Sequence, residues 1–199
     1  MFLWLFFYWE SIYAQITKEY YDNGIVRTEG ERTEGKKSGE WKFYYPNGVI
    51  QAIEQYSNNA LNGEAQSFNF DGELQSKENW KNGSLEDSAF YYHPNNKVKR
   101  KGIYLKSQYE GLWSDYYSSG ILKRTLEYHK GQPNGIWKYY SEKGVLLQHG
   151  NYLNGKESGY WEFYSKKGKL IYKGNYTNGA KTGKWVEIKN GKEKPYKYY

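Results

Sequence analysis

Three histidines, His93, His129 and His149, are the side chains best suited to metal ligation or proton transfer near neutral pH. The chain repeats every 24 residues, and the three fall at different positions of that repeat, so no strand register lines them up. The absence of cysteine removes disulfides, thiolate metal sites, cysteine nucleophiles and lipid-anchored cysteine together. Carboxylates are scattered through the period. No serine stands in a nucleophile-elbow pattern, and no glycine-rich loop opens a helix as phosphate binding requires. These residues point away from an enzyme and from any metal or cofactor. Two groups remain that suit binding. Lys97, Lys99, Arg100 and Lys101 form one basic cluster and Lys166, Lys167 and Lys169 another, with the chemistry to meet anionic lipid or a phosphate backbone. Repeated Trp and Tyr rings could stack sugars or bases, although regular packing produces the same spacing.

The period itself says what must position these groups. Counting from Gly39 as position zero, Gly63, Asp87, Gly111, Gly135, Gly159 and Gly183 recur there. Position two holds Trp41, Ala65, Ala89, Trp113, Trp137, Trp161 and Trp185. Position five is aromatic, as in Tyr44, Tyr116, Tyr140 and Tyr164. Position nine is Gly48, Gly72, Asn96, Gly120, Gly144 and Gly168. Asparagine is the residue after glycine that best tolerates positive φ, so Asn96 marks position nine as a left-handed turn. A second turn follows at position twenty, where Asn82-Gly83, Asn154-Gly155 and Asn178-Gly179 carry the strong hairpin dipeptide. Each copy therefore reads as strand, tight turn, longer strand, turn.

A fixed period of this length marks a repeat array in which each unit packs on its neighbours. The fold predicted is all-β: an elongated antiparallel meander of stacked 24-residue hairpins with 15 or 16 strands, spanning residues 15–194, and a short tail at 195–199. Repeats start near 15, 39, 63, 87, 111, 135, 159 and 183. No proline is expected inside a strand. Positions eleven, fifteen and seventeen are an even number of residues apart and are expected on one face. Position fifteen is glycine in four copies, Gly30, Gly102, Gly150 and Gly174, leaving room for a ring to lie over the backbone. Truncating Trp137 is expected to cost about 3–5 kcal/mol if the ring is buried between neighbours. The alanines at 65 and 89 predict the weakest or most bent stretch.

Composition sets further bounds. Aromatics make up 20% of the chain, too many for disorder. The net charge is +7, yet 29 basic and 22 acidic residues are interspersed, which favours simple solubility over nucleic acid as the meaning of the charge. Residues 1–14 differ in kind. The apolar run Met1–Trp9 is too short to cross a bilayer, and with Ala14 before Gln15 it fits a signal peptide, so export to the periplasm, outer envelope or exterior is expected. An uncleaved apolar strand closing the array, in a cytoplasmic chain, is the alternative.

The pattern in Gly135-Ile-Trp137-Lys-Tyr-Tyr140, Gly144-Val-Leu146 and Gly150-Asn-Tyr152-Leu-Asn-Gly155, carried again across Gly159–Gly179, resembles the MORN-repeat variant of bacterial proteins. Such chains are commonly catalogued as YwqK-type antitoxins of toxin–antitoxin systems. That resemblance implies a non-enzymatic protein that binds and neutralises a toxin partner, with no catalytic residues to carry over. MORN arrays elsewhere look like scaffolds, with membrane-phospholipid contact proposed. The alternative for this chain is an exported envelope module that touches anionic lipid or glycan through its aromatic and basic residues.

Overall fold

A computed structural model describes residues 15–197. Among the described residues sixteen strands form one sheet in strict sequence order, each antiparallel to the next. The array opens on β1 (Gln15–Tyr20), runs on through β3 (Lys36–Tyr44) and β4 (Ile50–Ser57), and closes with β15 (Ala180–Lys189) and β16 (Lys192–Pro195). No helix forms among the described residues. At ~4.8 Å per strand the sheet extends roughly 70 Å along its hydrogen-bonding direction. The accessible surface is 13584 Å², against about 9,800 Å² for a compact monomer of this length. A single layer leaves both faces in contact with solvent.

Two turn types alternate along the sheet as far as β15, and the last turn, Asn190-Gly191, breaks the alternation with a second two-residue turn. On one side are two-residue turns with both residues at positive φ, for example Asn82 (50°) and Gly83 (78°), or Lys106 (51°) and Ser107 (61°). Their twist matches that of the flanking strands. On the other side are three-residue turns such as Pro46-Asn47-Gly48, where the Gly48 N–H donates to the Tyr45 carbonyl and the Tyr45 N–H to the Val49 carbonyl, both at 2.8 Å. Asn96 takes the left-handed conformation of this second turn at φ 60°.

Repeats are fastened to one another beyond the strand ladders. On the three-residue side, Tyr21, Tyr45 and Tyr117 each donate a hydroxyl to a main-chain carbonyl 23 residues on. His93 fills the same position, with its Nε2 3.0 Å from the Tyr116 carbonyl. Asn23, Asn47 and Asn95 bridge adjacent turns in the same way. On the two-residue side a turn bonds the strand that leaves the preceding turn of its kind, as where the Gly83 N–H donates to the Leu61 carbonyl at 2.8 Å.

Two expectations need correction. Pro195 ends β16, and Pro133 lies inside a strand, as the second residue of β11 (Gln132–Tyr140). At this position of other copies the main-chain N–H bonds a side chain of the neighbouring turn, as that of Lys37 does with Asn59 and that of Leu85 with Ser107. Proline there gives up a turn contact and leaves the ladder intact. Position eleven does not share a face with positions fifteen and seventeen. The register steps from Phe43↔Ala52 to Tyr44↔Ile50, so Gln51 is an extra residue and the strand is bulged. Beyond the bulge, Ile50 pairs with Tyr44, whose hydroxyl reaches Glu29, while Trp41 and Tyr56 pack on the opposite face.

Candidate functional site

The indoles lie where position fifteen is bare. Trp41, Trp113, Trp161 and Trp185 are at most 3% exposed. A Cβ built on Gly30, Gly102, Gly150 or Gly174 would stand 2.1–2.4 Å from the nearest atom of the corresponding ring. Each indole N–H donates to the carbonyl of the residue after that glycine, at 3.0–3.2 Å. Position-seventeen tyrosines meet the rings edge-on, such as Tyr104 against Trp113 at 5.0 Å and Tyr176 against Trp185 at 5.1 Å. These rings are occupied by packing, with contacts of ~0.5–1.5 kcal/mol each beyond area burial.

Trp137 differs. Opposite it stands buried Leu126, not glycine. The leucine side chain fills the space over the backbone, and Trp137 is only partly buried. Its N–H turns to the Gln148 side chain at 3.2 Å, and the ring stacks on Tyr139 at an interplanar angle of 7°. The full burial cost expected for this tryptophan therefore does not apply to it. The position-five rings Tyr44, Tyr116, Tyr140 and Tyr164 are also partly buried. Tyr44 hydrogen-bonds Glu29 at 2.6 Å, and burial first, then this carboxylate, pushes its hydroxyl up to about 12.

The basic cluster contributes to a defined hollow of ≈560 Å³ on the three-residue-turn side. It lies between β8 (Val98–Leu105), β9 (Gln108–Tyr116) and β10 (Leu122–His129). Lys99, Arg100, Lys123 and Arg124 line it together with Tyr91, Tyr109, Tyr116, His93 and Asp115. Adjacent strand residues ordinarily face opposite sides. Here register shifts beside Tyr92 and Leu122 leave Lys99 and Lys123 as bulge residues, which re-aims them to the side of Arg100 and Arg124.

Asp115 holds both guanidinium groups: Arg100 Nε donates at 2.6 Å, and Arg124 Nε makes a shorter contact to the other oxygen. Burial would raise this carboxyl, but the two arginines outweigh it and hold the group below the usual carboxylate range. Lys99 and Lys123 form no ion pair among the described residues. Lys123 Nζ lies 5.4 Å from the centre of the Tyr117 ring. The other two cluster members lie apart. Lys97 Nζ donates to the Ser119 carbonyl at 2.7 Å, and Lys101 sits over Tyr116. The arrangement is suited to holding an anion against aromatic walls.

His129 pairs with Glu110 at 2.9 Å and His149 approaches Glu162 at 3.6 Å, in separate repeats. Among the described residues no three His, Asp or Glu side chains gather as a metal site would require. Of this hollow, the basic cluster read from the sequence supplies Lys99 and Arg100, while Lys123, Arg124, Asp115 and the tyrosine walls come from the structure. The signal was two consecutive basic pairs one period apart.

Residues 37–58, 61–82, 109–130, 133–154 and 157–178 match the MORN repeat variant, together more than half the chain. Each matched segment is one hairpin around a three-residue turn. The segment between 82 and 109, outside these matches, carries Asp87, Asn96 and the cluster Lys97–Lys101. No curated protein matches the chain. Repeats of this kind often serve as protein- or membrane-binding modules and are generally non-catalytic. With the repeated hairpin, its turns and its matched segments all in agreement, the chain belongs to the MORN repeat variant family.

Proposed function

We propose that this protein is a non-enzymatic binding module that presents its single-layer sheet to a protein partner, in the manner of an antitoxin or immunity protein. The observation carrying the reading is the row of large apolar side chains left uncovered on the face away from the tryptophans. Leu112, Ile136 and Tyr160 occupy position one of consecutive repeats and are 54%, 45% and 50% exposed. The same position is Ile16, Glu40, Glu64 and Ser88 in the earlier copies and Lys184 in the last. A recurring apolar row on one half of an open sheet fits a protein interface better than a solvated surface.

The leader-like character of residues 1–14, which lie outside the described residues, supports export. An exported antitoxin acts on a target outside the cytoplasm. A mature protein beginning at Gln15 in an envelope or extracellular fraction is the expected result of N-terminal sequencing. Affinity capture on the immobilised full chain tests the main reading. A discrete protein retained at ~0.3 M salt, where exposed charges are strongly screened, and lost from a Leu112→Lys/Ile136→Lys chain, is expected. Retention of the same protein by that variant would remove the apolar row from the interface.

A second reading, an envelope module on anionic lipid or glycan, draws on Lys99 and Lys123, without an ion pair among the described residues, beside the Tyr91, Tyr109 and Tyr116 rings. Binding to anionic vesicles that collapses between low and moderate salt, with no protein captured, would favour it.

A further inference from the structure

The three-residue-turn side carries a second hollow beside the first, ≈530 Å³, where Tyr117, Tyr139 and Leu147 meet Lys143, Lys166 and Lys167 and one carboxylate, Glu142. The two meet at consecutive residues, Tyr116 lining one and Tyr117 the other. Lys123 borders both, since it lines the first and lies over the Tyr117 ring of the second. Together they read as one groove running across the strands, with cationic groups at both ends and an apolar floor at Leu147.

The spacing along that groove is fixed by the repeat. Lys99/Arg100 and Lys123/Arg124 occupy the same positions in successive repeats, and Leu147 is the next residue in that series. Each step is two strands, or ~9.6 Å. A polyproline II chain rises ~3.1 Å per residue and presents the same face every third residue, a step of ~9.3 Å. The two repeats agree closely enough for several consecutive contacts.

We infer that the groove takes an extended acidic segment of a protein partner, with carboxylates three residues apart on Lys99 and Lys123 and an apolar side chain three residues further over Leu147. This rests on the protein-binding reading and names the chemistry of the partner. Charge supports it: Arg100 and Arg124 are already held by Asp115, while the two lysines have no carboxylate of the chain within ion-pair distance among the described residues. Shape supports it too. The lysines line a concavity walled by tyrosines, which a side chain enters readily and a flat bilayer surface does not.

Fluorescence anisotropy with the full chain tests this, using a labelled proline-rich peptide with glutamates three residues apart and a phenylalanine three further on. Saturable binding is expected, about tenfold weaker for Lys99→Glu and abolished for Lys99→Glu/Lys123→Glu. Lys99→Met and Lys123→Met, which retain the side-chain stem, should weaken binding with a parent-like melting temperature. Equal affinity for a control of identical composition with adjacent glutamates would overturn the inference. So would vesicles of anionic phospholipid that bind through the two lysines while the peptide is ignored. If the doubly reversed chain still captured its protein partner from an extract, the groove assignment would fail and the protein-binding reading would stand.

Discussion

At Gly102 and Trp113 an indole lies flat on bare backbone, while one repeat earlier Glu78 and Ala89 occupy the same two places. There the carboxylate accepts the Tyr91 hydroxyl at 2.7 Å, and the alanine is fully buried. Glu54 and Ala65 repeat this second arrangement, with Tyr56 donating to Glu54 at 2.6 Å. The ladder continues without a break through both kinds of repeat. Large ring with no side chain opposite, or small side chain with a carboxylate opposite: the two places change together. Across a single layer with no second sheet behind it, a repeat has to fill its own surface, and the pair of residues is the unit that does so.

The largest expected effect breaks one partner of a pair. Trp113→Ala should cost about 3–5 kcal/mol in urea unfolding, and Gly102→Glu a similar amount because its Cβ would enter the ring. Combined, they recreate the Ala–Glu arrangement, and their costs should fall short of additivity by about 1–3 kcal/mol. Strict additivity would show that the two repeat types are unrelated solutions. Next, Gly144→Val places a β-branched residue at φ 75° and should cost about 1–2 kcal/mol; a parent-like urea midpoint would remove the strain argument at this turn. Trp137→Ala tests the exception. With Leu126 already over the backbone, the loss should be about 1 kcal/mol, well below that of Trp113→Ala. Equal losses would contradict the leucine's role.

The smallest effect is alkaline. Burial first, then a neighbouring carboxylate, raises the hydroxyls of Tyr44 and Tyr164 to about 12. Their contribution is fully present below the ordinary tyrosine value near ~10 and is lost as pH rises through about 12. Absorbance titration should show a late-ionising group of tyrosines that disappears on unfolding. A single transition at the ordinary value would contradict the pairing.

Much of this architecture is legible in the sequence. The two turns followed from Asn-Gly dipeptides and the Gly/Asn alternation, and glycine at position fifteen foretold an overlying ring. The exception was also written in the sequence, as Leu126 where Trp137 needs glycine, but it becomes visible only when the two positions are read as a pair. Bulges were hidden for a physical reason: an extra residue reverses side-chain alternation without changing the period. That concealed the facing of position eleven and the convergence of Lys99 with Arg100. Asp115 stood in a place held by Phe43, Tyr91 or Phe163 in other copies, so only strand register revealed it between two arginines.

Because the strands follow one another in strict order, the two ends of the described array lie at opposite edges of the sheet. Tension applied between them would load the interstrand bonds a row at a time, peeling the molecule open instead of shearing it. Each repeat released would free about 80 Å of chain, at low force and in even steps, so that a tether built from this protein would lengthen gradually where a globular domain would give way all at once.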